Sequence, residues 1–333
     1  MDRPLRWPQV LGVAVVAAAL SLPLGCGGSR TDDTADDAGA PATTAAPARA
    51  EPVGELRWVS LEVDGRSRRA RVYVPSVLPE GRVPLVLGLH GGGGSAEQFA
   101  ENSDLDALAE ANGFIVAYPE GIPGPVLEHL HTWNAGYCCG PAQRDGVDDV
   151  AFIAALLDTL EADLPVDVGA VYAIGHSNGG MMAYRLACEL ADRIVAIGVV
   201  GASLGIEDCA PSRPVSVMHV HGSADRNHPI DGGPGQNSLV GVDFHPAVDG
   251  VRTLARADGC PATPRFDIDG DLTVETFAPC DEGAEVRFVA IAGASHAWPG
   301  GQGAAGRLTG PTYDAYDASG ELWAFVSAHT RGS

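Results

Sequence analysis

The chain has 333 residues, 43 acidic against 21 basic side chains, a formal charge of -22, and only Arg among its cations. Without Lys there is no Schiff-base or pyridoxal-phosphate chemistry and no GxxxxGK[ST] phosphate loop, and so acidic a chain is a poor partner for nucleic acid. The length suffices for one large domain or two small ones.

At the N-terminus, Arg3 and Arg6 precede an apolar run over residues 10–20 and then Ser21-Leu22-Pro23-Leu24-Gly25-Cys26. This is the layout of a secretory signal, and the run is shorter than the ~20 residues of a membrane span. Cys26 after Leu24-Gly25 resembles the lipobox of bacterial lipoproteins, with Pro23 where Leu is usual. That resemblance implies cleavage before Cys26 and its lipidation, whose several acyl chains would give the only membrane attachment expected; plain secretion is the alternative. Residues 27–52 are rich in Ala, Thr, Asp and Pro with no apolar period, which reads as a flexible tether. The expected organisation is a signal peptide over 1–25, a lipidated Cys and tether over 26–53, and a folded domain over 54–333.

Within that domain, residues 56–63 and 69–74 are β-rich and flank Asp64-Gly65, a hairpin signal. Six short runs then follow that are apolar on both faces: residues 84–89, 114–118, 170–174, 194–200, 215–220 and 286–291. A buried parallel sheet requires such runs, because helices cover both sides. Helical periods over 95–112, 148–160 (with Asp148 or Asp149 as N-cap) and 180–190 separate them, so an α/β doubly wound, mostly parallel sheet is expected. Residues 229–249 read as a Gly-rich loop or cap, and no internal repeat is present. Beyond Cys26 there are six cysteines, an even number that in an exported chain suggests three disulfides with 15 connectivities; the most local is Cys260 with Cys280. Their spacings, adjacent Cys138-Cys139 included, make no zinc site, and no metal or cofactor is expected.

The chemistry centres on Gly175-His176-Ser177-Asn178-Gly179, a GxSxG pattern between a strand run and a helical run. A Ser in a tight strand-to-helix turn needs flanking Gly, and the turn pushes its hydroxyl into the open as a nucleophile. Such a Ser needs an acid and a His after it in sequence. Asp225, in His221-Gly-Ser-Ala-Asp225, and His296, in Gly293-Ala-Ser-His296, each follow an apolar run, at the strand ends where ligand sites of open sheets collect. Asp231, Asp243, His176, His219, His228, His245 and His329 are weaker rivals by position. His90-Gly91-Gly92-Gly93-Gly94 follows the run 84–89, where backbone N–H groups of Gly91 or Gly92 could join that of Asn178 as an oxyanion hole.

From about Arg57 to His329 the chain resembles the secreted polyhydroxybutyrate depolymerase and feruloyl esterase family of α/β-hydrolases. The resemblance is carried by Leu89-His-Gly-Gly-Gly-Gly-Ser95, Trp133-Asn-Ala-Gly-Tyr-Cys-Cys-Gly140, Val147-Asp-Asp-Val150, Gly175-His-Ser-Asn-Gly-Gly-Met181, His221-Gly-Ser-Ala-Asp225 and Ser295-His-Ala-Trp-Pro-Gly300. It departs from the family in having Gly92 where Cys is frequent and Ser223 where Thr is frequent. The resemblance implies an α/β-hydrolase fold, hydrolysis of carboxylic esters without a metal, and Ser177, Asp225 and His296 as the triad. Feruloylated or acetylated polysaccharide, aryl esters and short polyesters are the candidate substrates. Trp133 and Trp298 flank motif blocks on loops and are candidates for the cleft wall, with a role as core anchors the equal alternative, and the protein is expected to act as a monomer. A serine peptidase and a non-catalytic surface-binding lipoprotein are the rival readings.

Overall fold

Runs that are apolar on both faces need cover on both sides, and the architecture supplies it. The computed structural model describes residues 50–124, 130–238, 240–302 and 309–332. The expected signal peptide, Cys26 and the tether as far as residue 49 lie outside the described residues. In chain order the main strands are β1 (Glu55–Val63), β2 (Arg66–Val74), β3 (Val83–Leu89), β4 (Ile115–Pro119), β5 (Val166–His176), β6 (Ala196–Val200), β7 (Ser216–Gly222), β8 (Arg265–Asp269), β9 (Leu272–Phe277) and β10 (Val286–Ile291). They form one ten-stranded sheet in the order β1-β2-β4-β3-β5-β6-β7-β10-β9-β8. The six central strands, β4 to β10 in that order, are parallel and coincide with the six apolar runs. An antiparallel hairpin closes each edge.

Alternation along each strand divides the core in two. Leu85, Leu87 and Leu89 of β3 face one layer, with Val171 and Ala173 of β5 and the helices α3 (Asp149–Asp163), α4 (Asn178–Glu189) and α5 (Ala247–Ala257). Val86, Tyr172 and Ile174 face the other, against α1 (Ala96–Ser103), α2 (Leu105–Asn112) and α6 (Ala318–Ser327). The sheet is thus doubly wound, as the runs require.

Local signals account for most helix ends. Ser95 caps α1 through its side chain, and of the two candidates for α3 it is Asp148 that accepts the Ala151 N–H, at 2.9 Å. The period over 95–112 does not give one helix: Asp104 adopts φ 54° and breaks it. Nine residues at 100° each would set Phe99 and Leu108 on opposite faces of a straight helix, and the break lets both bury. Among the described residues of 229–249, only Gly233–Pro234 and Asp243–Phe244 pair as short strands, and α5 starts at Ala247. Sequence reasoning missed the β8–β9 hairpin, because all of β8 is exposed and carries no buried apolar run. Disulfides join Cys260–Cys280, the expected local pair, and also Cys188–Cys209 and the neighbours Cys138–Cys139.

One ion pair ties the N-terminal hairpin to the layer beneath it. Arg68 of β2 and Asp149 at the start of α3 are both buried and meet at 2.7 Å, and the other Asp149 oxygen accepts the Asn134 N–H. Burial pushes the Arg68 pKa down and the Asp149 pKa up, each only partly offset by the other's charge. Such a pair adds little beyond what apolar packing would give, yet removing one partner costs about 3–5 kcal/mol.

A second buried carboxylate is compensated less well. Asp258, just after α5, is fully buried with neither side-chain oxygen in a hydrogen bond. Burial pushes it up to about 7, and the Val215 backbone and Arg331 pull it back only in part. In the fold it therefore holds a proton that the unfolded chain has released above about pH 4, so stability falls as pH rises from there to about 7. Asp258→Asn should abolish that fall, giving a protein about 2–4 kcal/mol more stable than the parent at pH 8 and equal to it near pH 4. Urea midpoints across this range test it; an unchanged pH slope would refute the assignment.

Candidate active site

The parallel strands bring several loops to one edge of the sheet. Leu89 pairs with Gly175, His176 with Val200, Val200 with Val220, and Gly222 with Ile291, so the segments after β3, β5, β6, β7 and β10 all emerge there. Ser177 sits between β5 and α4 at φ 54° and ψ -122°, a strained conformation for a residue with a Cβ. Its neighbours explain the GxSxGG spacing. A Cβ on Gly175 would strike the Gly179 carbonyl, one on Gly179 the carbonyls of Leu89 and His90, and one on Gly180 would lie 2.9 Å from Ala202 Cβ. His176, the free position of the pattern, turns inward and donates its Nε2–H to the His296 carbonyl at 2.8 Å. Burial, helped by nearby His296, pushes His176 down to about 3, so this ring is neutral.

The structure brings the three expected side chains together. Ser177 Oγ lies 3.0 Å from His296 Nε2, and His296 Nδ1 lies 2.6 Å from Asp225 Oδ2. Asp225 Oδ1 accepts the backbone N–H groups of Asn227 and His228, each at 2.8 Å. Burial raises the Asp225 pKa, but the neighbouring His296 and His221 outweigh it and hold the carboxyl well below the usual range. The resulting carboxylate fixes the imidazole with Nε2 toward the serine hydroxyl, an arrangement able to accept that proton.

A glycine that sequence reasoning missed makes room for this pair. Gly201, directly after β6, has φ 60°, and a Cβ there would lie 3.1 Å from His296 Nδ1 and 3.4 Å from Asp225 Oδ2. Its only signal in the sequence is a Gly at the end of a parallel strand.

The 90–94 loop packs against the same turn. A Cβ on Gly91 would sit 3.5 Å from Ser177 Cβ, and one on Gly92 would sit 3.4 Å from Asn178 Cβ. Gly121 N–H donates to His90 Nε2 at 3.1 Å, which leaves the proton on Nδ1 to donate to the Gly91 carbonyl at 2.8 Å. Gly94 N–H binds that carbonyl too, and Gly93 N–H binds the His131 carbonyl. In a trans peptide the following N–H points opposite to the carbonyl. Gly92 N–H therefore points away from the two donors that hold Gly91 O, and it has no partner among the described residues. A pocket of about 530 Å³ opens at the far end of this loop, lined in part by Gly93, Gly94, Ser95, Glu120 and His131.

The two tryptophans require a correction. Trp133 is 0% and Trp298 2% exposed, so neither offers a face to a cleft. Trp298 meets Phe99 edge-on and donates to Ser319 Oγ, while Trp133 donates its indole N–H to the His90 carbonyl at 3.0 Å. They are packed inside because each indole N–H finds its acceptor there. Among the rivals, His228 contacts Ser203 Oγ at 2.8 Å, but Ser203 is fully buried and lies on no strained turn. His219 is held between Tyr184 and His221, and His329 donates to the Phe325 carbonyl. Asp231 and Asp243 are exposed, and His245 packs on Tyr137.

Gly201→Ala should thus force a strained left-handed alanine against the His296–Asp225 pair. Expected are a loss of about 1–2 kcal/mol in stability and an upfield shift of the low-field imidazole proton in NMR; an unshifted proton would contradict the packing described.

The model of the family described as esterase PHB depolymerase matches residues 69–262, more than half of the chain. The Nocardia uniformis subsp. tsuyamanensis protein NocK, named as an esterase, is 35% identical over 276 residues, 77% of this chain and 78% of NocK. Feruloyl esterase B of Piromyces equi is 31% identical over 221 residues, 64% of this chain but 39% of that longer protein. Among solved structures, an acetyl xylan esterase from Aspergillus awamori has the same fold, with a TM-score of 0.53 and 16% identity over 73% of this chain and 94% of that one. The strained serine turn and its loops thus stand within a known lineage: the chain belongs to the esterase PHB depolymerase family and is a carboxylic ester hydrolase of the α/β-hydrolase fold.

Proposed function

We propose that the protein is an exported serine esterase that removes acyl groups, acetyl or feruloyl, from polysaccharide. The carrying observation is the hydrogen-bonded line Ser177 Oγ, His296, Asp225 at a strained strand-to-helix turn. Ser177 attacks the ester carbonyl while His296 takes its proton, and Asp225 orients and stabilises the imidazolium. The oxyanion is received by the N–H groups of Asn178, at the start of α4, and Gly92. The helix N-terminus adds a favourable field. His296 then protonates the leaving alcohol, and water enters by the same route to release the acid from the acyl-enzyme. The substrate class is supported by the names of the feruloyl and acetylxylan esterases that the chain resembles. Export is supported by the N-terminal layout and by three disulfides, which belong to oxidising compartments. Attachment through a lipidated Cys26 completes the reading.

Ser177→Ala should lower kcat on a short-chain nitrophenyl ester by at least ~10⁴-fold and abolish fluorophosphonate labelling. Asp225→Asn should lose roughly 10⁴-fold, because the imidazole is then held in the wrong tautomer. Methyl ferulate, acetylated xylan and polyhydroxybutyrate tested side by side settle the substrate: turnover confined to polyhydroxybutyrate would overturn the polysaccharide assignment.

A further inference from the structure

An oxyanion hole needs two donors about 3 Å from one oxygen, and here they sit on separate segments. Gly92 follows β3, Asn178 begins α4, and no short stretch of chain joins them. The β3–β5 ladder ends at Leu89 and Gly175, and contact between Gly179 and the carbonyls of Leu89 and His90 limits how closely the chain beyond it approaches, but neither ties the donor segments themselves to each other. Trp133 does. Its peptide grips the Asn178 carboxamide at both ends: Trp133 N–H donates to Asn178 Oδ1 at 2.8 Å, and Asn178 Nδ2 donates to the Trp133 carbonyl at 3.1 Å. Its indole N–H donates to the His90 carbonyl at 3.0 Å, and its ring packs 4.9 Å from the His90 imidazole. All three residues are buried, so water cannot substitute for these bonds.

We propose that Trp133 is the positioning residue of the oxyanion hole, a strut linking Asn178 to His90 that sets the gap between the Asn178 and Gly92 donors. Its base is itself fixed, since Cys139 N–H donates to the Trp133 carbonyl and Asn134 N–H to Asp149. The strut touches no substrate. It acts on the transition state alone, because the two donors align on an oxygen that gains its charge only there. This inference rests on the assignment of Ser177 and the two donors made above.

The test uses a trifluoromethyl ketone, which Ser177 captures as a hemiketal whose oxyanion occupies the hole. In Trp133→Phe, kcat should fall by about 10- to 100-fold, less than for loss of a whole donor, with KM within about twofold. The ketone Ki should rise by the same factor as kcat/KM falls. Asn178→Ala, which keeps the backbone N–H, breaks the other end of the strut and should behave alike. If Trp133→Phe does not fold, the Asn178→Ala result decides. Because the two links are in series, the double variant should lose no more than the worse single one. Unchanged Ki in the variants, a loss carried by KM, or losses that multiply would overturn the strut. Failure of the ketone to inhibit the parent enzyme would instead overturn the esterase mechanism on which it rests.

Discussion

The site depends on one close approach of backbone to backbone, that of Gly179 to the carbonyls of Leu89 and His90. It brings the start of α4 against the end of β3, and no residue larger than glycine fits there. Ser177 is left with φ 54°, a conformation costing of order 1–3 kcal/mol, which persists only because its flanks cannot yield. β5 is hydrogen-bonded between β3 and β6, and α4 presents ten buried residues to the core. Strain at one serine is thus held by a deeply buried part of the molecule. The same packing fixes where its hydroxyl points.

The sheet's topology converts that local strain into a site. Parallel strands put every carboxyl end on one edge, so side chains 48 and 119 residues from Ser177 in sequence reach the same place. The edge hairpins do other work. β8 alternates Arg265, Asp267 and Asp269 with exposed Phe266 and Ile268, and charge on an exposed outer strand discourages pairing with a second sheet. Part of the acidic excess therefore serves solubility at a sheet edge, away from the chemistry.

The central strands and the Ser, Asp and His cluster were legible because each rests on a strong local rule. Buried parallel strands read as apolar runs, and a serine elbow needs glycine at fixed offsets. What escaped the sequence depends on contacts between distant segments. Gly201 matters only because β6 ends beside the His296–Asp225 pair. Trp133 reads as a surface aromatic or a core one with equal ease, and its hydrogen-bond partners His90 and Asn178 lie 43 and 45 residues away. The break at Asp104 is a compromise between helical period and the burial of Phe99 and Leu108, and no window of local sequence contains that compromise.

The crowd of histidines at this edge has a single division of labour. His90 Nδ1–H donates to the Gly91 carbonyl, His176 Nε2–H to the His296 carbonyl, and His221 Nε2–H to the His228 carbonyl, so each pins one of the site's loops by its backbone. Since a carbonyl can only accept, each bond also fixes which nitrogen carries the proton. Burial pushes His90 down to about 4 and His176 to about 3, so both stay neutral donors where a bare, exposed imidazole would exchange protons with water. His296 differs in one respect: its Nδ1 faces a carboxylate, not a carbonyl. A carbonyl partner opposes nothing when the ring gains a proton, but it offers no charge to balance the gain. Asp225 supplies that charge, and its other oxygen is held by the amides of Asn227 and His228. Of the imidazoles packed here, His296 alone among the described residues joins a hydroxyl on one side to a buried anion on the other, which is the geometry that the proposed proton transfer from Ser177 needs.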